Sequence, residues 1–124
     1  MTRHALTLAG VIVAVLVGAA TAQASCSFET TAEQRARADV IFDGVALDNP
    51  TATGVQRFKV TRYLKGRGPS IVRVDTGTIR RSDGSGVASS VGLFVKRRER
   101  WHIFARGSVR RILHTSDCAG SRRR

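Results

Sequence analysis

The beginning of this chain most limits what it can fold into. A short basic start, Met1-Thr2-Arg3-His4, leads into a charge-free apolar run over residues 6–20, and Ala22-Gln23-Ala24 follows. This pattern predicts a signal-peptide helix over residues 1–24, with small residues at the two positions a signal peptidase reads and cleavage before Ser25. The run is shorter than the roughly 20 apolar residues of a membrane-spanning helix, so an uncleaved N-terminal membrane anchor is the alternative and cleavage the expectation. No Arg-Arg pair precedes the run, which favours the general secretion route. Gln23, Ala24 and Ser25 are a poor match to a lipid-attachment site ahead of Cys26. The expected folding unit is then residues 25–121 with a basic tail at 122–124. A domain this small has a thin core, and a covalent staple helps it.

The two cysteines, Cys26 and Cys118, stand near the two ends of that unit. In an oxidising compartment an even pair reads as one disulfide. A bridge closing so long a loop is worth about 4–5 kcal/mol before strain is subtracted. A metal pair is the weaker reading, because zinc takes about four ligands and only His102 and His114 remain after the leader.

Charge narrows the partners. The formal net charge is +12, and only Arg3 leaves with the leader. Such a surface attracts polyanions: an anionic envelope polymer, an anionic lipid surface or an acidic patch on an extracellular protein. Export sets intracellular nucleic acid aside as a natural partner. The densest cluster is Lys96-Arg97-Arg98-Glu99-Arg100, with Arg110-Arg111 further on and Arg80-Arg81 as neighbours in prospect. Lys96, Arg97, Arg98, Arg100, Arg110 and Arg111 are therefore the candidate polyanion contacts. A solvated hairpin turn, whose charges discourage edge pairing, explains the cluster without a ligand. Trp101, Phe94 and Phe104 are close by in sequence and could stack on bases, but a core this small is expected to need them.

Thr30-Thr31-Ala32-Glu33 has the form of a capping box and predicts a short helix over residues 32–38. Residues 40–47 read as a strand, with Gly44 marking a bulge or bend. Residues 55–64 form the clearest strand, with Phe58, Val60 and Leu64 on one face and Arg62 interrupting it. Residues 71–75 follow as a short strand with Val72 and Val74 inward, and residues 76–90 read mostly as a long loop. Residues 91–95, 101–105 and 109–113 supply three more strands. Short strands with one helix predict a small all-β barrel or sandwich.

No catalytic pattern appears. Asp83-Gly84-Ser85-Gly86 lacks the spacing of a nucleophile elbow. Asp39, Asp43, Asp48 and Asp75 are scattered, and neither a phosphate-cradling glycine loop nor H-E-x-x-H is present. The expectation is a protein that is not an enzyme and takes no cofactor.

Several pieces occur together and in order: Ala38-Asp39-Val40-Ile41-Phe42-Asp43-Gly44-Val45; Phe58-Lys59-Val60 leading to Tyr63-Leu64-Lys65-Gly66; Val72-Arg73-Val74-Asp75-Thr76-Gly77; Glu99-Arg100-Trp101-His102-Ile103-Phe104-Ala105; and Thr115-Ser116-Asp117-Cys118-Ala119-Gly120. Over about residues 24–121 the chain resembles the bacterial secreted relatives of tissue inhibitors of metalloproteinases, which share an OB-type barrel with netrin modules. The resemblance implies an OB-like five-stranded Greek-key barrel. That family opens Cys-x-Cys and has a further cysteine midway. Here Ala24 stands at the first position and Val91 at the midway one, so one family bridge is missing as a pair and Cys26–Cys118 corresponds to the other. In the animal inhibitors the first cysteine's amine and carbonyl grip the protease zinc. Without that residue, inhibition of a metalloprotease through Ser25 and Cys26 is the alternative reading. The leading expectation is a secreted, non-enzymatic binding module that presents a basic surface to an anionic or protein partner.

Overall fold

The computed structural model describes residues 29–89 and 91–124. The expected leader, Ser25 and Cys26 lie outside the described residues. The chain is mostly β, with one short helix and a curled six-stranded sheet. Among the described residues no helix is long and apolar enough to cross a membrane.

Helix α1, Thr31–Arg37, begins where the capping box predicts, with the Glu33 amide donating to Thr30 Oγ1 at 3.2 Å. It ends at Ala38, which is extended. There Lys65 Nζ donates to the carbonyls of Arg35 at 2.8 Å and Ala36 at 3.4 Å. A cation on the last turn satisfies otherwise orphaned carbonyls and opposes the helix dipole.

Strand β1, Val40–Ala46, is the centre of the sheet. It pairs antiparallel with β2, Val55–Lys65, on one side and with β6, Arg100–Ala105, on the other. Strand β3, Ile71–Asp75, pairs antiparallel with β2 and parallel with β7, Ile112–His114. Strand β8, Arg122–Arg123, adds to the free edge of β6. The expected basic tail is thus corrected to an edge strand. At the other edge, Arg106 and His114 exchange both backbone hydrogen bonds at 2.9 Å, which draws the end of β6 against β7.

The β1–β2 ladder slips on either side of the Phe42–Asp43 pair, the second time at Gly44. A Cβ at Gly44 would stand 3.0 Å from the Lys59 carbonyl oxygen and from the Phe42 ring. The bulge also corrects the expected face of β2. Phe58 is fully buried and Val60 half-buried, but Leu64 is exposed and Tyr63 packs on Phe42 instead. An extra residue in a ladder reverses the alternation beyond it. Arg62, which seemed to interrupt an apolar face, lies on the opposite face beside Asp43.

One expectation is refined and one corrected. Within the long loop expected over residues 76–90, β4, Thr78–Arg80, and β5, Gly86–Ala88, form a separate two-stranded ribbon. Its turn is closed by Asp83, whose Oδ1 accepts from the Ser85 amide at 2.9 Å and from its hydroxyl at 2.6 Å. Residues 91–95 are not a strand, although Leu93 and Val95 are buried. The segment is held by single bonds rather than a ladder. Its Leu93 amide donates to the Thr76 carbonyl at 2.8 Å, Thr78 Oγ1 donates to the Leu93 carbonyl at 2.7 Å, and Gln56 Nε2 donates to the Val95 carbonyl at 2.9 Å. Apolar side chains needed burial there, and buried polar side chains supplied the partners that a neighbouring strand would have given.

The core is built from Phe42, Phe58, Val72, Val74, Val95, Trp101, Ile103 and Leu113, with the Phe42 and Phe58 rings edge-to-face at 6.0 Å. On the outer face of β1 and β6 a second small cluster joins Ala38, Ile41 and Phe104 to the 3-10 turn Asp117–Ala119. Ser121 seals it: its Oγ accepts from the Phe104 amide at 2.8 Å.

Candidate anion-binding site

The candidate cations divide into two groups. Lys96, Arg97 and Arg98 occupy the turn before β6, and Arg100 is its first residue. Arg110 and Arg111 lie beyond its other end, in the loop before β7. A six-residue strand separates the groups by about 17–20 Å. The structure therefore does not bring all six together.

The turn before β6 is tightly built. The Lys96 amide donates to Glu99 Oε1 at 2.6 Å, and the Glu99 amide returns to the Lys96 carbonyl at 3.1 Å. Arg98 sits at φ 73°, the left-handed region that favours glycine, so the turn holds it at some conformational cost. Three bonds fix the turn to the end of β1 and the loop that follows. The Arg98 amide donates to the Ala46 carbonyl at 2.8 Å, the Ala46 amide to the Glu99 carbonyl at 2.9 Å, and the Arg97 amide to Asn49 Oδ1 at 3.0 Å. Burial pushes the Glu99 carboxyl up, but the Lys96 amide and the Arg123 guanidinium outweigh it and hold the carboxyl below its ordinary value.

Arg80 and Arg81 reach the same loop from the ribbon, since the Arg80 amide donates to the Thr51 carbonyl at 2.8 Å. Together the 47–52 loop, Arg80, Arg81, Ser82 and Arg97 line a groove of about 560 Å³. Its one carboxylate, Asp48, is already committed. Arg57 donates to it from its backbone amide at 2.9 Å, from Nε at 3.0 Å and from Nη2 at 2.8 Å. These bonds hold the Asp48 carboxyl below its ordinary range. A second cavity of about 390 Å³ lies between α1 and the 114–119 segment. Its cations are Arg37, paired with Glu29, and Arg106, so it offers an anion much less.

The charge balance follows the same logic throughout. Four of the nine acids are used on framework arginines: Glu29 on Arg37, Asp48 on Arg57, Glu99 on Arg123, and Asp43 on both Arg62 and Arg124. Arg80, Arg81, Lys96, Arg97, Arg98, Arg100, Arg110 and Arg111 are exposed and make no ion pair among the described residues.

Sequence reading missed one buried constellation. Asp43 and His102 stand directly opposite on β1 and β6, with Asp43 Oδ1 2.6 Å from His102 Nδ1. Asp43 Oδ2 accepts from Arg124 at 2.8 Å and from Arg62 at 3.3 Å. Asp43 and His102 are 59 residues apart, and only the strand register brings them together. His114 is exposed near Asp75. Trp101 and Phe104 are core residues, whereas Phe94 is 52% exposed and lies beside Gly86 rather than in the core. No family model, characterised protein or solved structure matches this chain in the comparisons made with them.

Proposed function

We propose that this chain is an exported, non-enzymatic binding module whose cationic surface holds an anionic polymer or an acidic partner outside the cytoplasm. The reading rests on one observation above all: exposed Arg and Lys side chains at both ends of β6 make no ion pair among the described residues, while the carboxylates of Glu29, Asp43, Asp48 and Glu99 are bound to other arginines. Uncompensated like charges repel one another and are relieved when counter-charge arrives. The scaffold proposed is an OB-type Greek-key barrel. In favour of it, β1 lies between β2 and β6, β3 runs parallel to β7, and the Arg106–His114 pair links the β6 and β7 ends of that series. The proposed bridge from Cys26 to Cys118 would tie the start of the domain to the 3-10 turn that covers Phe104.

The exported protein is expected to be retained on phosphocellulose at about 0.1 M salt and to elute as salt is raised, while passing unretained through the uncharged matrix. Free passage through phosphocellulose at low salt would remove the basis for this function.

A further inference from the structure

We infer that the groove formed by the 47–52 loop, Arg80, Arg81 and Arg97 is a subsite for the phosphate group of a linear polyphosphate or phosphodiester polymer. This deepens the binding-module reading and depends on it. Three arginines, the consecutive Arg80 and Arg81 from the ribbon and Arg97 from the turn before β6, line one concave volume of about 560 Å³. The backbone beneath them is fixed. Arg80 is anchored to Thr51, Arg81 to the Ser85 carbonyl at 2.8 Å, and Arg97 to Asn49. None of the three has an ion-pair partner among the described residues, and the one carboxylate of the lining is neutralised by Arg57. An anion entering the groove therefore meets three arginines and a single carboxylate that is held chiefly by Arg57.

The number of cations selects the ligand chemistry. A carboxylate has two oxygens and one charge, and a single bidentate arginine nearly saturates it. A phosphate group offers more acceptor oxygens in a tetrahedral array, so it can answer several guanidinium forks at once, and a polyphosphate adds more charge on the neighbouring units. No aromatic side chain lines the groove, so a nucleobase would find no stacking platform there. A bilayer would need apolar side chains facing outward beside the charges; within the lining Leu47 and Pro50 are half-buried, whereas Ile79 and Phe94 are exposed beside Arg80 and Gly86, so the vesicle titration separates the two ligands.

The test is calorimetric titration of the exported protein with tripolyphosphate, repeated with citrate and with phosphatidylglycerol vesicles. Two triple variants lose the same charge: Arg80→Gln, Arg81→Gln, Arg97→Gln in the groove, and Arg35→Gln, Arg67→Gln, Arg106→Gln at the other end of the sheet. All six side chains are exposed, and thermal melts check that each triple variant keeps the wild-type fold. The groove variant is expected to bind tripolyphosphate at least about tenfold more weakly, the distal variant within about twofold of wild type. Amide resonances of Asn49, Thr51, Arg80 and Arg97 are expected to shift on titration of the wild type. Equal losses in the two triple variants would overturn the groove while leaving a diffusely cationic module. Citrate binding as tight as tripolyphosphate, or groove-dependent vesicle binding without tripolyphosphate binding, would overturn the assigned chemistry. A wild-type protein that binds none of the three anions removes the broader function instead.

Discussion

Gln56→Leu is expected to cost the folded protein about 3 kcal/mol, although it keeps nearly the same volume. Gln56 is fully buried, and its amide serves three partners. Nε2 donates to the Val95 and Asp48 carbonyls, each at 2.9 Å, and Oε1 accepts from Thr76 Oγ1 at 3.0 Å. Leucine satisfies none of them, and a buried acceptor left without a donor costs about 1–3 kcal/mol. Because residues 91–95 have no ladder of their own, the loss is concentrated on the segment that carries Leu93 and Val95 into the core. In a domain of this size such a loss lowers the melting temperature by about 15 °C. Thermal and urea denaturation measure it directly, and a shift below a few degrees would mean that the segment is held by packing alone.

Asp43→Asn is expected to destabilise by about 2–3 kcal/mol at neutral pH. Removing one member of a buried ion pair can cost more than this, but Arg62 and Arg124 are both more than half exposed and can return to water. His102, buried at 6% side-chain exposure, cannot. Desolvation pushes the Asp43 carboxyl up, but the His102 hydrogen bond and the charges of His102, Arg124 and Arg62 prevail and hold it below its ordinary value of 3.8. The unfolded chain therefore takes up this proton first as pH falls. The contribution is fully present above the ordinary value and is lost as pH drops through the lower folded value. The stability gap between wild type and Asp43→Asn should stay open down to about pH 4 and close below it. A gap that narrows between pH 7 and 5 instead would place the titrating group elsewhere.

These two residues also mark how far the sequence was legible. Helix α1 could be read because its signal is local: Thr30 and Glu33 lie three residues apart, and the expected cap bond forms. The bulge at Gly44 was legible for a similar reason, since a glycine within a β-rich run has few other uses. The face of β2 was not, because the slip opposite Gly44 reverses the side chains of Arg62 and Tyr63 before a second slip follows at Phe42. Residues 91–95 were misread because alternating apolar residues report burial, and Gln56, Thr76 and Thr78 provide burial without a paired strand.

The site was legible in part. The cluster at 96–100 announces itself by density, and Arg80-Arg81 was a correct neighbour for Arg97. Arg110 and Arg111 look close in sequence, but β6 carries them to the far end of the sheet. Nor does composition reveal which cations remain available. That depends on which arginines the acids engage, and Asp48 binds Arg57 while Asp43 binds Arg62 and Arg124 only once the sheet has formed. Arg122 to Arg124, expected as a basic tail, are partly used in this way, with Arg123 on Glu99 and Arg124 on Asp43.

The central claim is that folding leaves exposed cations at the two ends of β6 without carboxylate partners among the described residues. Salt dependence of binding tests it most directly: affinity of the purified protein for a labelled long-chain polyphosphate, measured at several ionic strengths. Counterion release at about four to six contacts predicts that log K falls linearly with log salt, with a slope of about −3 to −5. A slope near zero, or no binding even at low salt, would contradict the account.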